Sequence, residues 1–470
     1  MSAHPFHPPL PHNFPAPLRR ILAGMDGVFV VGGSLRDLAM GRPPTDVDIT
    51  VTGDPYHAAR QIARRIGGRP VRLGKDDRFI YRVAAGERIF DIAPVEGKDM
   101  ASDLARRDFT VNAMAWDPRT DTLLDPHGGM TDLADRTIRM VSDSVFSADP
   151  LRMLRAFRLC ATLEFALDAR TGARIAIDAF RIEQSAGERI SAELFKFFQA
   201  PRSAAALTGM DRCGLLRCVF PELAPLAACN QDPPHNGDVL AHTLAAYGHL
   251  ENLLADGMGP VMTGKTAPPL EALDPERQGL LKCAILLHDI GKPAARTIEA
   301  DGRIRFHGHG RIGAALAQKA ARRLAFSNRQ RRYIETVIAH HLRPLSLFLA
   351  HGRGQLTPKG MTRFFRACHP YVPDLLHHAV ADMRAKATGE ATGKAFADFA
   401  RHLLYRELPA FSAQAARPPL ISGHDLMEGL AMAPSPLLGR ILDRVEEARL
   451  AGTIKTRDEA LALAHNLSKP

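Results

Sequence analysis

The sequence predicts an α+β fold, a small mixed-sheet head followed by a long all-α body. Three observations predict it. Strand signals crowd into the first third of the chain. From Asp149 onward apolar residues recur at helical spacing. Breaks rich in Pro and Gly at 230–237, 256–275 and 417–436 then divide the helical part. A chain of 470 residues suits about three domains. The expected divisions are a lead-in over 1–17, a head over 18–140, a helical neck over 141–235, a helical domain over 236–390 and a helical tail over 391–470.

The lead-in, MSAHPFHPPLPHNFPAP, holds six prolines and no basic residue before Arg19. It is expected to be disordered rather than a signal or transit peptide. Val28–Val31 is a β-branched and aromatic run ending at Gly32-Gly33, and a helix is expected over Ser34–Met40. Asp46-Val-Asp-Ile-Thr-Val-Thr52 alternates with period two. Val47, Ile49 and Val51 then face a core, while Asp46, Asp48, Thr50 and Thr52 face the other way. Pro55–Ile66 reads as a helix stopped by Gly67-Gly68, and Phe79–Val83 and Arg88–Ile92 as strands turned at Gly86. In the body, Pro150 suits the first turn of a helix carrying Leu151, Leu154, Phe157 and Leu159.

Composition narrows the function. Apolar residues make up 46% and charged residues 24%, which excludes disordered and collagen-like classes. Lys and Arg number 61 against 51 Asp and Glu, a net charge of +10. Such an excess suits a polyanion such as nucleic acid, and equally an Arg-rich surface with no partner. The six cysteines show no CxxC spacing and read as reduced thiols of a cytoplasmic protein. No apolar run approaches the roughly 18 residues of a membrane span, so no membrane partner is expected.

Two constellations carry chemistry. In the first, a strand runs into Gly32-Gly33-Ser34-Leu-Arg36-Asp37, and Asp46-Val-Asp48 follows. Glycines at the start of a helix let a phosphate approach backbone N–H groups, and Arg36 can add a charge-assisted hydrogen bond. Asp46 and Asp48, two apart on a strand, put two carboxylates on one side, which suits Mg²⁺ over a triphosphate. Alone, a Gly-Gly pair is a turn and a DxD a solvated strand face. Together, GGSLRD and DVDI resemble the catalytic head of the bacterial class of tRNA nucleotidyltransferases and poly(A) polymerases.

The resemblance continues in Leu104-Ala-Arg-Arg-Asp-Phe-Thr-Val-Asn-Ala-Met114, similar to that family's ribose-binding motif. It implies that Arg107, Asp108 and Asn112 hold the sugar. Asp149-Pro-Leu-Arg152 is similar to its nucleobase-selecting helix, with Ala148 standing where many relatives have an acidic residue. A carboxylate at Asp149 accepts from the exocyclic amine of cytosine or adenine while the Arg152 guanidinium donates to ring acceptors. Uracil and guanine would set a carbonyl against Asp149. Arg155 and Arg158 continue Arg152 at three-residue spacing, as a nucleotide-facing stripe or a solvated helix face. Glu188-Arg-Ile-Ser-Ala-Glu-Leu-Phe195 matches a later family helix that shapes the pocket. Asp91, after a strand, is either a third acidic group near the metals or, as is commoner, structural, and is left out of the catalytic set.

The second constellation is His242, His288-Asp289, His309, His340-His341 and Asp382. Imidazoles with carboxylates suit a transition metal ion. Leu286-Leu-His-Asp-Ile-Gly-Lys292 resembles the HD phosphohydrolase signature, which implies His242, His288, Asp289 and Asp382 as ligands, with His309 and His340 as further ligands or phosphate contacts. The combined resemblance implies template-independent addition of CCA to the tRNA acceptor end from CTP and ATP, with Mg²⁺ in the head. Phosphohydrolase activity in the body would be a second function. A poly(A) polymerase or A-adding enzyme, and an HD phosphohydrolase with a nucleotide-binding head, are the competing expectations.

Overall fold

The computed structural model describes residues 16–44, 46–75, 78–86, 88–232, 238–256, 273–386, 389–429 and 433–469. The expected lead-in therefore lies almost wholly outside the described residues. The chain divides into two compact units, one formed by residues up to Phe197 with Ala205–Val219, the other by Phe198–Ala204 with Phe220 onward.

The first unit is built on a seven-stranded mixed sheet. Its strands are β1 (Val28–Val31), β2 (Asp46–Val51), β3 (Pro70–Lys75), β4 (Arg78–Ala85), β5 (Arg88–Pro94), β6 (Ala115–Asp117) and β7 (Thr122–Leu124), in the order β3-β4-β5-β2-β1-β6-β7. β1 pairs antiparallel with β2, setting Val31 opposite Asp48. β2 runs parallel to β5, setting Asp48 beside Asp91. The apolar positions of β2 are buried as the alternation predicts, but Thr50 is buried too, because its hydroxyl accepts from Arg107.

The helix Pro55–Ile66 has the bounds its sequence announces. The Asp54 side chain caps Tyr56 N–H, Pro55 stands in the first turn, and Gly67 ends the helix at φ +80°. Ala58, Ala59, Ile62 and Ala63 are its buried face. The same unit holds the helices Leu151–Leu163 and Gly187–Gln199. A short parallel pair, Thr137–Ile138 with Ala166–Leu167, interrupts the expected helical run.

The second unit is helical around Val239–Asp256, Pro275–Leu287, His309–Arg323, Asn328–His340 and Val372–Arg384. One hairpin, Arg296–Ile298 with Ile304–Phe306, departs from the all-α expectation. It turns at Asp301-Gly302, where Gly302 takes φ +81°. Buried Glu251 accepts from Ser203 N–H at 2.6 Å, Ala204 N–H at 2.9 Å and Lys282 Nζ at 2.7 Å, which fastens the Phe198–Ala204 segment to this unit. Towards the end of the chain, Ile421, Leu426, Ile441, Val445, Ala460 and their neighbours form a separate apolar cluster. No helix among the described residues is long and apolar enough to cross a membrane.

Candidate functional site

The end of β1 builds the head cleft. The helix Gly32–Ala39 starts directly at the last residue of the strand, and Gly32 makes the corner at φ +70°. A β-carbon at Gly32 would stand 2.9 Å from Asp48 Oδ2 and 3.2 Å from Arg107 Nη1. The corner therefore requires glycine twice, for its φ and for the space. Ser34 is buried. Its hydroxyl donates to Val31 O at 2.8 Å and accepts from Asp48 N–H at 3.1 Å. Contrary to the expectation of nucleotide contact, Ser34 ties β1 to β2 and fixes the backbone of Asp48.

A cleft of about 220 Å³ opens here. Gly32, Gly33, Asp48 and Arg107 line one side, and Asp108, Asn112, Arg152 and Arg155 the other. Asp46 is exposed on β2, two residues from Asp48. Burial pushes the Asp48 carboxyl above its ordinary range. Arg107 and Arg36 oppose that, while Asp91 and Asp46 add to it. This crowding of negative charge in a half-closed cleft is the electrostatic situation a divalent cation relieves, so the residues fit Mg²⁺. Asp91 itself is held by both arms of Arg82 at 2.8 Å.

The sugar motif folds into a relay of hydrogen bonds. Arg36 Nη1 donates to Asn112 Oδ1 at 2.8 Å, and Asn112 Nδ2 donates to Asp108 Oδ1 at 3.0 Å. Arg155 Nη1 donates to Asp108 Oδ2 at 3.0 Å. Burial raises the Asp108 carboxyl, but Arg155, Asn112 and the Phe109 N–H outweigh it and hold the acid below its usual range. Arg36 thus differs from its expected role. Its guanidinium is committed to Asp37 and Asn112 and does not line the cleft.

The selecting helix, Leu151–Leu163, brings Arg152 and Arg155 into the cleft but neither Asp149 nor Arg158. Arg158 Nε donates to Glu193 Oε2 at 2.7 Å, and Arg155 Nε lies 3.8 Å from Glu193 Oε1. The three-residue stripe is therefore neither solvated nor uniform. Arg155 and Arg158 are neutralised, while the Arg152 guanidinium has no hydrogen-bond or ion-pair partner among the described residues. Burial lowers the Arg152 guanidinium from its ordinary value, with Asp108 and Asp149 opposing. Asp149 accepts from Leu151 N–H at 3.2 Å and from Arg189 Nη2 at 2.9 Å. Arg189 and Glu193 were not assigned roles by sequence, although their four-residue separation, which puts both on one face of a helix, was available as a signal.

The second unit contains the His/Asp centre. Nε2 of His242 lies 2.8 Å from Asp382 Oδ1, and Nε2 of His288 lies 3.1 Å from Asp289 Oδ2. His309 Nε2 is 3.4 Å from Asp289 Oδ1 and 3.1 Å from His341 Nε2. His288, His309 and His341 each direct Nδ1 at a carbonyl three residues back, those of Ile285, Phe306 and Ile338. A carbonyl only accepts, so each Nδ1 carries a proton, and a neutral ring then turns an Nε2 lone pair inward. Two such lone pairs 3.1 Å apart, in His309 and His341, need a cation or a proton between them.

Two triads have ligand spacing, His242–His288–Asp289 and Asp289–His309–His341, and the residues fit a transition metal ion. His341 belongs to the candidate group, and His340, expected as a further ligand or phosphate contact, does not. The two side chains point about 100° apart at the helix end. His378, which the sequence reading omitted, is fully buried against His288 and His341 with neither ring nitrogen hydrogen-bonded. Lys292 Nζ lies 2.7 Å from Asp289, and Lys386 Nζ 2.6 Å from Asp382. Burial lowers His288, but Asp289 and Asp382 raise it to about 9; burial, His288 and His309 take His341 down to about 3. A cleft of about 410 Å³ reaches Asp289, Lys292, His309, His341, Asp382 and Lys386.

Three family models match the chain. The profile described as "Poly A polymerase head domain" matches residues 28–139. "Probable RNA and SrmB- binding site of polymerase A" matches 164–226, and "HD domain" matches 239–362. The A-adding tRNA nucleotidyltransferase of Deinococcus radiodurans is 34% identical over 93% of this chain and 94% of its own. The CC-adding tRNA nucleotidyltransferase of Thermus thermophilus is 33% identical over 92% of each. The Thermotoga maritima CCA-adding enzyme complexed with tRNA has the same fold, with a TM-score of 0.64 at 18% identity over 98% of both chains. A CCA-adding enzyme in complex with ATP gives a TM-score of 0.67 at 18% identity, also over 98% of both. With a nucleotidyltransferase head, an RNA-binding neck and an HD domain in one chain, this protein belongs to the bacterial class II tRNA nucleotidyltransferase family.

Proposed function

We propose that the protein adds CCA to tRNA 3′ ends from CTP and ATP without a template. The observation that carries the reading is one cleft holding a crowded acid, Asp48, beside a glycine corner, with Arg152, whose guanidinium has no hydrogen-bond or ion-pair partner among the described residues, lining the same cleft. Such a site is completed by an incoming triphosphate and its base. Asp46 and Asp48 would hold Mg²⁺, which supplies charge neutralisation at the α-phosphate and at the departing pyrophosphate. Gly32 and Gly33 admit the phosphates to the backbone. Ionised Asp108 accepts from a ribose hydroxyl and Asn112 completes the sugar contact, so a missing 2′-hydroxyl leaves a buried partner unmatched. Arg152 donates to the ring acceptors of cytosine or adenine; Asp149, three residues before it and outside the cleft lining, is the group that would accept from the amine. The net positive charge suits the tRNA backbone.

A second reading, addition of C alone or A alone, is favoured by one finding: the Deinococcus and Thermus relatives, matched over more than nine tenths of their length, carry those two names. Incubating the protein with tRNA lacking its CCA end and CTP, ATP or both separates the readings. CCA addition requires both nucleotides to complete the end. Product with ATP only on tRNA already ending in CC, or arrest after CC with both nucleotides present, overturns it.

We further propose that the HD centre hydrolyses phosphate or cyclic phosphate ends with a bound transition metal, Lys292 and Lys386 facing the substrate's charge. Metal content of the purified protein and hydrolysis of a 2′,3′-cyclic phosphodiester test this, with Asp289→Ala as the inactive control. Protein that binds no transition metal ends the proposal. The cytoplasm, where the six free thiols stay reduced, is the proposed compartment.

A further inference from the structure

Outside the cleft, the head carries aromatic rings and guanidinium groups in one continuous row. Tyr56, in the first turn of the helix Pro55–Ile66, packs on Tyr81 of β4 with ring centroids 5.2 Å apart, and Tyr81 meets the Phe79 ring edge-on at 5.7 Å. A guanidinium closes each end, Arg60 over Tyr56 at 5.8 Å and Arg72 over Phe79 at 4.7 Å. Arg72 reaches the row because it stands opposite Tyr81 in the β3–β4 register. The row lies on the sheet face away from the cleft. Arg82, next along β4, turns both arms to Asp91, which sits beside Asp48 in register, and strand alternation sends Phe79 and Tyr81 the other way. The row is neither covered nor neutral. Tyr56 is 44% exposed, Arg60 and Arg72 are exposed, and Phe79 and Tyr81 are half-buried. From Pro55 to Gly74 the chain holds five arginines and no acidic residue. Of these, Arg60, Arg64 and Arg69 have no carboxylate partner among the described residues. A cluster that only sealed helix to sheet would need no such unanswered charge.

We propose that this face of the head binds an unpaired stretch of RNA, separately from the catalytic cleft. Neither the cleft nor the HD centre contributes a residue to it. Exposed rings accept bases of any sequence by stacking, and arginines set between and beside them follow the phosphates. A duplex keeps its base faces covered, so the surface selects single strands. Arg60 and Arg64, one helical turn apart, carry the charge beyond the rings, which lengthens the track for a backbone. The same charge favours RNA over a peptide, because a polyanion releases counterions as it meets the arginines.

Fluorescence anisotropy of a labelled single-stranded RNA of about 12 nucleotides with a 3′-deoxy end, titrated with the full-length protein at several salt concentrations, tests this. Tyr56→Ala weakens binding about tenfold, as for loss of one stacked base, and Tyr56→Phe, which keeps the ring, restores it. The double variant Arg60→Gln, Arg64→Gln lowers the slope of log K against log salt by about 1.4, the loss of two phosphate contacts. Arg152→Ala, altered in the cleft, binds the oligonucleotide as wild type does, and duplex RNA of the same length binds at least about tenfold more weakly. Melting temperatures of the Tyr56 and arginine variants stay within about 2 °C of wild type, and their incorporation from CTP into tRNA lacking its end stays within about twofold. If Tyr56→Ala and the arginine pair bind as wild type does, if Arg152→Ala alone loses binding, or if duplex binds equally well, the proposal is overturned. A wild type that binds a labelled proline-rich peptide and not the RNA overturns it too, and assigns the rings to a protein partner.

Discussion

The two sites balance charge in opposite ways. In the head, Asp48 has Asp91 and Asp46 beside it, opposed in part by Arg107 and Arg36, and the Arg152 guanidinium has no hydrogen-bond or ion-pair partner among the described residues, so the cleft holds charge that a ligand can match. In the HD centre the acids are already answered. Burial raises Asp289 and Asp382, but His288 and Lys292 hold the first, and Lys386 and His242 the second, well below the carboxylate range. The head cleft leaves charge for a ligand to match, whereas the HD centre already sets protein cations against its buried acids. Asp289 and Asp382 favour the protonated form of His288, raising it to about 9, so a cation bound there would compete with that proton.

That contrast can be broken by substitution. The largest effect is expected from Asp48→Asn, which removes the acid crowded in the cleft. Nucleotide incorporation falls at least about a thousandfold, while hydrolysis of a cyclic phosphodiester by the same preparation is retained. Asp289→Asn gives the mirror result, abolishing metal-dependent hydrolysis with incorporation intact. If either variant silences both assays, the two sites are not independent.

Gly32→Ala comes next. Incorporation drops about a hundredfold, because the added carbon meets Asp48 and Arg107 at a backbone angle an L side chain rarely adopts. Glu193→Gln is milder. It takes the buried acid from Arg158 and Arg155 and lowers stability by about 2 kcal/mol in chemical denaturation. The smallest effect is a pH dependence. Asp108 is held below its ordinary range, so its stabilisation is complete above an unfolded pKa of about 3.9 and is lost as pH falls through the lower folded value. Asp108→Asn therefore melts below wild type at neutral pH, and the gap closes in acid. A gap that widens in acid would reverse the assignment.

How much was legible in the sequence follows the same line. Val28–Val31 and Pro55–Ile66 were readable because β-branching, an Asp-Pro start and a Gly stop act locally. The strand Pro70–Lys75 was missed because PVRLGK, at the sheet edge, needs few apolar residues. Gly32, Asp48, Asp108 and Arg152 were placed together by motif, and the cleft brings them together. Ser34 and Arg36 were assigned to nucleotide by motif, and Arg158 by helical spacing that suited a solvated face equally, but neither signal says which member is occupied by its neighbours. His340 against His341 turned on helix phase at a helix end. His378 was recoverable, since His378, Asp382 and Lys386 recur every four residues along one face.

The relay from Arg36 through Asn112, Asp108 and Arg155 to Glu193 has a consequence for fidelity. On the proposed reading Asp108 and Asn112 judge the sugar while Arg152, on the helix that carries Arg155, judges the base, so the two judgements would be joined through that helix and an error at one would be felt at the other. A deoxynucleotide carrying a forbidden base should then be refused by a factor different from the product of the two separate penalties, and the size of that departure measures how stiffly the chain transmits.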